Sequence, residues 1–326
     1  MALDDSLRAL LRCPVCRGEL EENVALECRR CTRIFSILDG IPVLLPEVPE
    51  HLDRHKAEQA AHFDAADPEW ETVRPAGAPA FYRGLIEHKF EQAVAGLRTL
   101  LPGATVLTVC GGSGMDAEFL ARAGAQVISS DLSIEAARRA RERGRLHALP
   151  LKPLVADVEA LPFSDRSVDV VFVHDGLHHL ENPLGGLAEM ARVARVAVSV
   201  NEPARAAATQ IAVRVGLSEV KEAAGNVVER VAPRAITATL ENAGFEVVRR
   251  RRYAMVYRHE PGRISALLSA PPLRQVADGA LRAFNGVLGD LGNKLTVQAV
   301  RRLPEATSSR GGGGSGASSS GHPLEG

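Results

Sequence analysis

Aromatic side chains are scarce: one Trp, three Tyr and nine Phe make up 4% of 326 residues. That leaves little for a surface that stacks unpaired bases on rings. Excess charge is also missing. Lys and Arg number 39 against 40 Asp and Glu, a formal net charge of −1. Such balance excludes coating nucleic acid or a membrane by bulk electrostatics, although a local basic patch escapes the argument. No apolar run approaches the roughly 18–20 residues of a membrane span. The opening MALDDSLRALLRC carries acid where a signal peptide carries base, and it lacks a long apolar core or cleavage site. A cytoplasmic chain without a membrane partner is the expectation.

What is present is the composition of a folded protein. Hydrophobic residues reach 45% and charged residues 24%, close to the globular average of about 25%. The length suits one large domain and one small one. Four divisions follow from the pattern: a small cysteine-bearing unit (1–48), a polar helical linker or lid (49–100), an α/β domain (101–305) with a helical insertion near 262–290, and a flexible Gly/Ser tail (306–326).

Only five cysteines occur, and four of them come as Cys13-x-x-Cys16 and Cys28-x-x-Cys31. In a reducing compartment two such pairs predict a metal site rather than disulfides. Four thiolates around Zn²⁺ leave no open coordination position, so the zinc is expected to be structural. A segment this short also needs such a staple to fold. Short strands are expected at Leu10–Arg12 and Val24–Glu27, with a turn at Asp39-Gly40. The segments CPVCRGEL and LECRRCTRIFSILDGIPVLLPE resemble the small zinc-ribbon activator subunit of tRNA, rRNA and release-factor methyltransferases. The resemblance leaves two roles for the ribbon, contact with its own catalytic domain or with a partner protein.

From Thr105 the rhythm changes to strands alternating with helices, which predicts a parallel sheet covered on both faces. Val106–Val109 is a buried strand followed at once by Cys110-Gly111-Gly112-Ser113-Gly114. Glycines there let backbone N–H groups approach a ligand at a helix start. Gly112-x-Gly114-x-x-Ala117 with Asp131 would also fit a dinucleotide-binding loop. The whole series VLTVCGGSGMDAEFL, SSDLS, ADVEALPF, DVVFVHDGLHHLENP, ENAGFEVV and NKLTVQAV resembles the class I S-adenosylmethionine-dependent methyltransferases, and most closely their small-molecule and quinone-precursor branch. That resemblance implies a Rossmann-like seven-stranded sheet with helices on both faces, beside the small β zinc ribbon.

It also implies roles. Cys110, Gly111, Gly112 and Gly114 pass under the methionine and ribose of S-adenosylmethionine. Asp131 holds the ribose hydroxyls, Leu132 packs on adenine, Asp157 and Val158 recognise the adenine edge, and His174 with Asp175 lines the methionine side. Two positions depart from the family: Thr108 replaces an acid, which should weaken cofactor binding, and Cys110 replaces a glycine, which should crowd the loop.

Because a sulfonium methyl donor is already activated, the protein must align an acceptor and, for a hydroxyl or amine, remove a proton. His178, near the carboxyl end of the sheet, is the best candidate for a base; Tyr82, on the lid, and Glu202 are weaker ones. The four arginines Arg249–Arg252 alternate in direction on a strand, so they form no continuous basic patch. A small-molecule acceptor is therefore expected, with nucleic acid disfavoured. An rRNA or tRNA methyltransferase, a catalytically inactive zinc-ribbon adaptor and a nicotinamide enzyme are the rival readings.

Overall fold

The computed structural model describes residues 3–47, 52–204, 231–255 and 260–302. The Gly/Ser tail lies outside these residues, as do the expected boundaries at 48–49 and 305.

The chain opens with a helix that ends at Leu10, where the first short strand was expected to begin. The Asp4 carboxylate accepts the Leu7 N–H (3.0 Å) and caps α1 (Asp5–Leu10). Leu3, Leu7 and Leu11 then recur every four residues and bury one face. Leu11 keeps only an isolated bridge to Phe163. Next come β1 (Leu20–Glu22), β2 (Leu26–Cys28) and β3 (Ile34–Phe35), a three-stranded antiparallel ribbon. After them β4 (Ile37–Leu38) and β5 (Ile41–Leu44) form a hairpin. Its turn residues Asp39 and Gly40 both have positive φ, 54° and 80°, as a tight hairpin demands.

Three helices follow: α2 (Arg54–Asp64), α3 (Pro68–Val73) and α4 (Ala80–Val94). The α/β part comprises β6 (Thr105–Val109), α5 (Met115–Arg122), β7 (Gln126–Asp131), α6 (Ile134–Leu146), β8 (Lys152–Ala156), β9 (Val168–His174), α7 (Pro183–Val193) and β10 (Ala194–Pro203). It closes with α8 (Pro233–Asn242), β11 (Phe245–Tyr253), α9 (Arg263–Leu267), α10 (Pro271–Val287) and β12 (Lys294–Arg301). Helices α9 and α10 lie between the last two strands.

The sheet runs β11-β12-β10-β9-β6-β7-β8-β5-β4. Strands β6 to β10 are parallel, and β12 lies antiparallel between β10 and β11. It has nine strands rather than seven because β5 pairs in parallel with β8, Val43 opposite Val155 and Leu44 opposite Ala156. Without β5, β8 would be an open edge of unpaired backbone. Ile41 and Leu44, fully buried, fill the junction, and Arg138 on α6 bonds Asp39 at 2.7 Å. The ribbon thus contacts the α/β part of its own chain.

One face of the sheet packs Leu107, Ile128, Leu154 and Val171 against α7 and α8 through Leu187, Met190, Ile236 and Leu240. The other packs Val106, Val127, Val170 and Phe172 against α4 and α5 through Phe90, Val94 and Leu120. The arginine run does lie on an edge strand, and Arg249, Arg251 and Arg252 are tied to Gln92, Asn285 and Gly292.

Candidate active site and metal centre

The four early cysteines converge, with their Sγ atoms all within 4.8 Å of one another. Cys13 to Cys31 is 3.6 Å and Cys16 to Cys28 is 3.4 Å. A tetrahedron of zinc–sulfur bonds of roughly 2.3 Å has edges of about 3.8 Å, so the donor set fits Zn²⁺. The N–H groups of Arg30 and Cys31 point at the Cys28 sulfur (3.4 and 3.5 Å). Burial opposes ionisation of Cys28, but these backbone groups and the neighbouring thiols draw its pKa down to about 7. Gly18 is required here, since a Cβ would lie 3.0 Å from the Cys28 sulfur and 2.8 Å from the Arg30 Cβ.

In the α/β part, β6, β7 and β8 end side by side and deliver the glycine loop, Asp131 and Asp157 to one edge. Gly112 donates its N–H to Asp131 Oδ2 (2.8 Å), and Ser133 donates to Oδ1 (2.9 Å). Burial raises the Asp131 pKa above the usual carboxylate value, and these N–H donors only partly offset it. Gly111 is obligatory, because a Cβ there would strike Ser129 Oγ and Thr108 Oγ1 at 2.7 and 2.9 Å. Thr108, the first family departure, is buried and bonds Ser129 (3.3 Å). Cys110, the second, adopts φ 50°, unfavourable for a residue with a Cβ. Its side chain packs against Gly176, where a Cβ would fall 2.5 Å from that of Cys110. A glycine across the loop thus accommodates the cysteine that the sequence suggested would crowd it.

Helices α2 and α3 cover this edge. Lys56 on α2 reaches Asp157 Oδ2 (2.7 Å) and Glu159 (2.8 Å). Asp157 Oδ1 also accepts the Glu159 N–H (2.9 Å). The far end of α2 brings Asp64 to Ser133 Oγ (2.5 Å), and its middle sets Gln59 beside His179 Nδ1 (3.0 Å). On α3, Glu71 accepts from Ser113 Oγ (2.8 Å), and the buried Arg143 bonds the backbone oxygens of both Ser113 and Glu71. Leu132 is half-buried beside Leu52 and Ala137, and Val158 is buried near Gly186. Tyr82 is almost fully buried in a wall with Met115, Tyr253 and Met255.

A second set of polar groups lies at the ends of β9, β10 and β12. His174 Nδ1 meets Asp116 (3.0 Å), and Asn201 donates to His174 Nε2 (2.8 Å) while also bonding the Tyr253 hydroxyl. Asp175 takes Lys89 of α4 on one oxygen (2.7 Å) and Lys294 of β12 on the other (2.6 Å). Burial alone would raise the Asp175 pKa, but the two ammonium groups hold it well below the usual range. Asp116 is likewise lowered, against burial, by His174. Finally, Glu202 accepts the N–H groups of Gly176 and Leu177 on Oε1 (2.8 Å each) and meets His178 Nδ1 on Oε2 (2.7 Å). Both His178 and Glu202 are 2% exposed. The weaker acid candidate therefore turns out to orient the stronger base candidate.

Sequence reasoning missed Lys56, Lys89, Asp116, Asn201, Tyr253 and Lys294. Their partners lie 27 to 119 residues away, beyond the reach of any local spacing.

Comparison with known proteins agrees with this geometry. A family model described as a methyltransferase domain matches residues 107–198, and one described as Trm112p-like protein matches residues 4–40. Matches to a Trm112-like protein and to a methyltransferase domain thus lie in one chain. It is 30% identical over 144 residues to a demethylmenaquinone methyltransferase of Renibacterium salmoninarum, covering 44% of this chain and 57% of that protein. A demethylmenaquinone methyltransferase of a Mycobacterium species is 31% identical over 147 residues, covering 44% and 58%. The chain thus spans little more than half the length of these relatives. Among solved structures, the magnesium protoporphyrin IX methyltransferase of Synechocystis PCC 6803 with bound SAH aligns with a TM-score of 0.52 at 17% identity, over 76% of this chain and all of that one. That likeness is one of fold. Among the described residues, no helix is long and apolar enough to cross a membrane.

Proposed function

We propose that this chain is an S-adenosylmethionine-dependent methyltransferase acting on a small or medium-sized acceptor, with a quinol-type ring as the favoured class. The observation that carries the proposal is the placement of Asp131 and Asp157 on adjacent strand ends beside the glycine loop, all beneath one helical lid. Asp131 would hold the ribose hydroxyls, residues 110–114 the methionine side, and Asp157 with Val158 the adenine edge beside Leu132. S-adenosylmethionine supplies an electrophilic methyl group when bound. The quinol assignment draws on the named activity of the two curated relatives.

The chain's own work is alignment and proton removal. Glu202 fixes the His178 ring by its Nδ1 atom, and His178 is the group that would take the hydroxyl proton of the acceptor. His174, committed to Asp116 and Asn201, is a positioning residue beneath the methionine side. Tyr82, almost fully buried with Met115, Tyr253 and Met255, would act as a wall beside the acceptor. Zinc on Cys13, Cys16, Cys28 and Cys31 would be structural, holding the ribbon that supplies β5. The units are a ribbon (1–48), a lid (49–100) and a methyltransferase domain (101–305).

Calorimetric titration with S-adenosylmethionine and S-adenosylhomocysteine, with NADH as control, tests the donor assignment. Micromolar binding of the first two and none of NADH supports it. No binding by zinc-loaded, folded protein removes the enzyme reading and leaves an adaptor.

A further inference from the structure

Helix α2 carries one cation to a place where two acids meet. Lys56 Nζ lies 2.7 Å from Asp157 Oδ2 and 2.8 Å from Glu159 Oε2, with Asp53 farther off at 3.8 Å. Asp157 is buried and Glu159 half-buried, so water solvates neither carboxylate well. One ammonium thus serves as the counter-ion of a carboxylate pair. Burial would lower the Lys56 pKa, but Asp157 and Glu159 raise it above the usual lysine value, and the ammonium stays charged.

The two acids differ in what else they hold. Glu159 uses its other oxygen to accept the Asn182 N–H (2.6 Å) at the start of α7, which fixes it as part of the framework. Asp157 Oδ1 accepts the Glu159 N–H (2.9 Å). A carboxylate offers about four lone-pair sites, so this N–H and Lys56 leave Asp157 room for a further donor. Without the ammonium, two negative groups would face each other in a poorly hydrated place. Like charges so placed repel, and Asp157 would turn away or take up a proton. Either response removes the acceptor that an amino group needs.

We infer that Lys56 is a positioning residue for donor recognition, holding Asp157 ionised and aimed so that it accepts the exocyclic amino group of adenine. The inference rests on the donor reading above, in which Asp157 takes the adenine edge. Helix α2 does not depend on this ammonium for its place. Asp53 caps its start by accepting the Lys56 N–H (3.0 Å), and His55 Nε2 meets the His179 oxygen (2.7 Å). At the far end Asp64 meets Ser133 Oγ, and Arg139 bonds the Phe63 oxygen (2.5 Å). Lys56→Met therefore removes the charge and leaves α2 seated.

The test is calorimetric titration of the full zinc-loaded chain with S-adenosylhomocysteine and with S-inosylhomocysteine, in which an oxygen replaces the amino group. Wild type should prefer the adenosyl ligand at least about tenfold, the scale of a hydrogen bond to a charged group. In Lys56→Met the preference should fall below about threefold, and Lys56→Arg should restore it. Equal weakening of both ligands by Lys56→Met, with the preference intact, would make the lysine a mere structural tie and overturn the inference alone. Loss of the preference in Lys56→Arg as well would overturn the role of charge. A wild-type chain that binds neither ligand would remove the donor reading, and this inference with it.

Discussion

The two halves of the candidate site are built by opposite electrostatic means. On the donor side, Asp131 is a buried carboxylate held by backbone N–H groups of its own and the adjoining loop, and its pKa is raised. On the acceptor side, Asp175 and Asp116 are buried carboxylates facing cations or an imidazole, and their pKa values are lowered. A carboxylate held by neutral N–H groups, with no cation beside it, keeps lone pairs for a ligand's hydroxyls. A carboxylate saturated by two lysines is scaffold. Burial alone does not separate the two cases; the neighbours do.

Breaking the saturated side should have the largest effect. Asp175→Asn leaves Lys89 and Lys294 without their shared counter-ion and should cost about 3–5 kcal/mol in urea unfolding. A loss below about 1 kcal/mol would mean the trio is not the clamp described. On the donor side the same chemical change should act on binding instead. Asp131→Asn should weaken S-adenosylhomocysteine about tenfold to a hundredfold, as loss of charged hydrogen bonds does, while unfolding stability holds or rises slightly. Unchanged affinity would remove Asp131 from the ribose site.

Acid sharpens the contrast. Asp175 and Asp116 have depressed folded values, so their stabilisation is present above the unfolded pKa of about 4 and drains away as pH falls below it toward the folded value. Asp131 has a raised folded value, so the cost of ionising it in the fold applies at neutral pH and diminishes as pH falls through that raised value. Wild type and Asp131→Asn should therefore converge in stability on acidification. Asp175→Asn should converge with wild type only at lower pH. The smallest effect concerns Cys110: replacing it with Gly removes left-handed strain worth about 1 kcal/mol, offset in part by lost packing on Gly176. The midpoint of thermal unfolding should rise or hold, and a clear fall would show that the cysteine's packing outweighs its strain.

The same contrast explains what the sequence could disclose. Glycine loop, Asp131 and Asp157 each sit immediately after a buried strand, so strand periodicity locates them and local chemistry assigns them. The cysteine pairs announced themselves by spacing. Lys89, Asp116 and Lys294 carry no such mark, because each gains its partner only when α4, α5 and β12 meet at the ends of the parallel strands. The two extra strands were hidden for a related reason. ILDGIPVLL reads as a hairpin, but its pairing with β8 is a contact across more than a hundred residues. Helix α1 carries little apolar signal of its own, because the Asp4 cap decides its start.

The central claim is that donor binding and proton removal belong to separable halves, with His178 on the reacting side. The most direct measurement compares S-adenosylhomocysteine affinity and methyl transfer to a 1,4-naphthoquinol in wild type and His178→Gln. Affinity within about twofold of wild type, with transfer reduced at least about a hundredfold, is the predicted result. Transfer at the wild-type rate, or equal loss of binding and turnover, would contradict it.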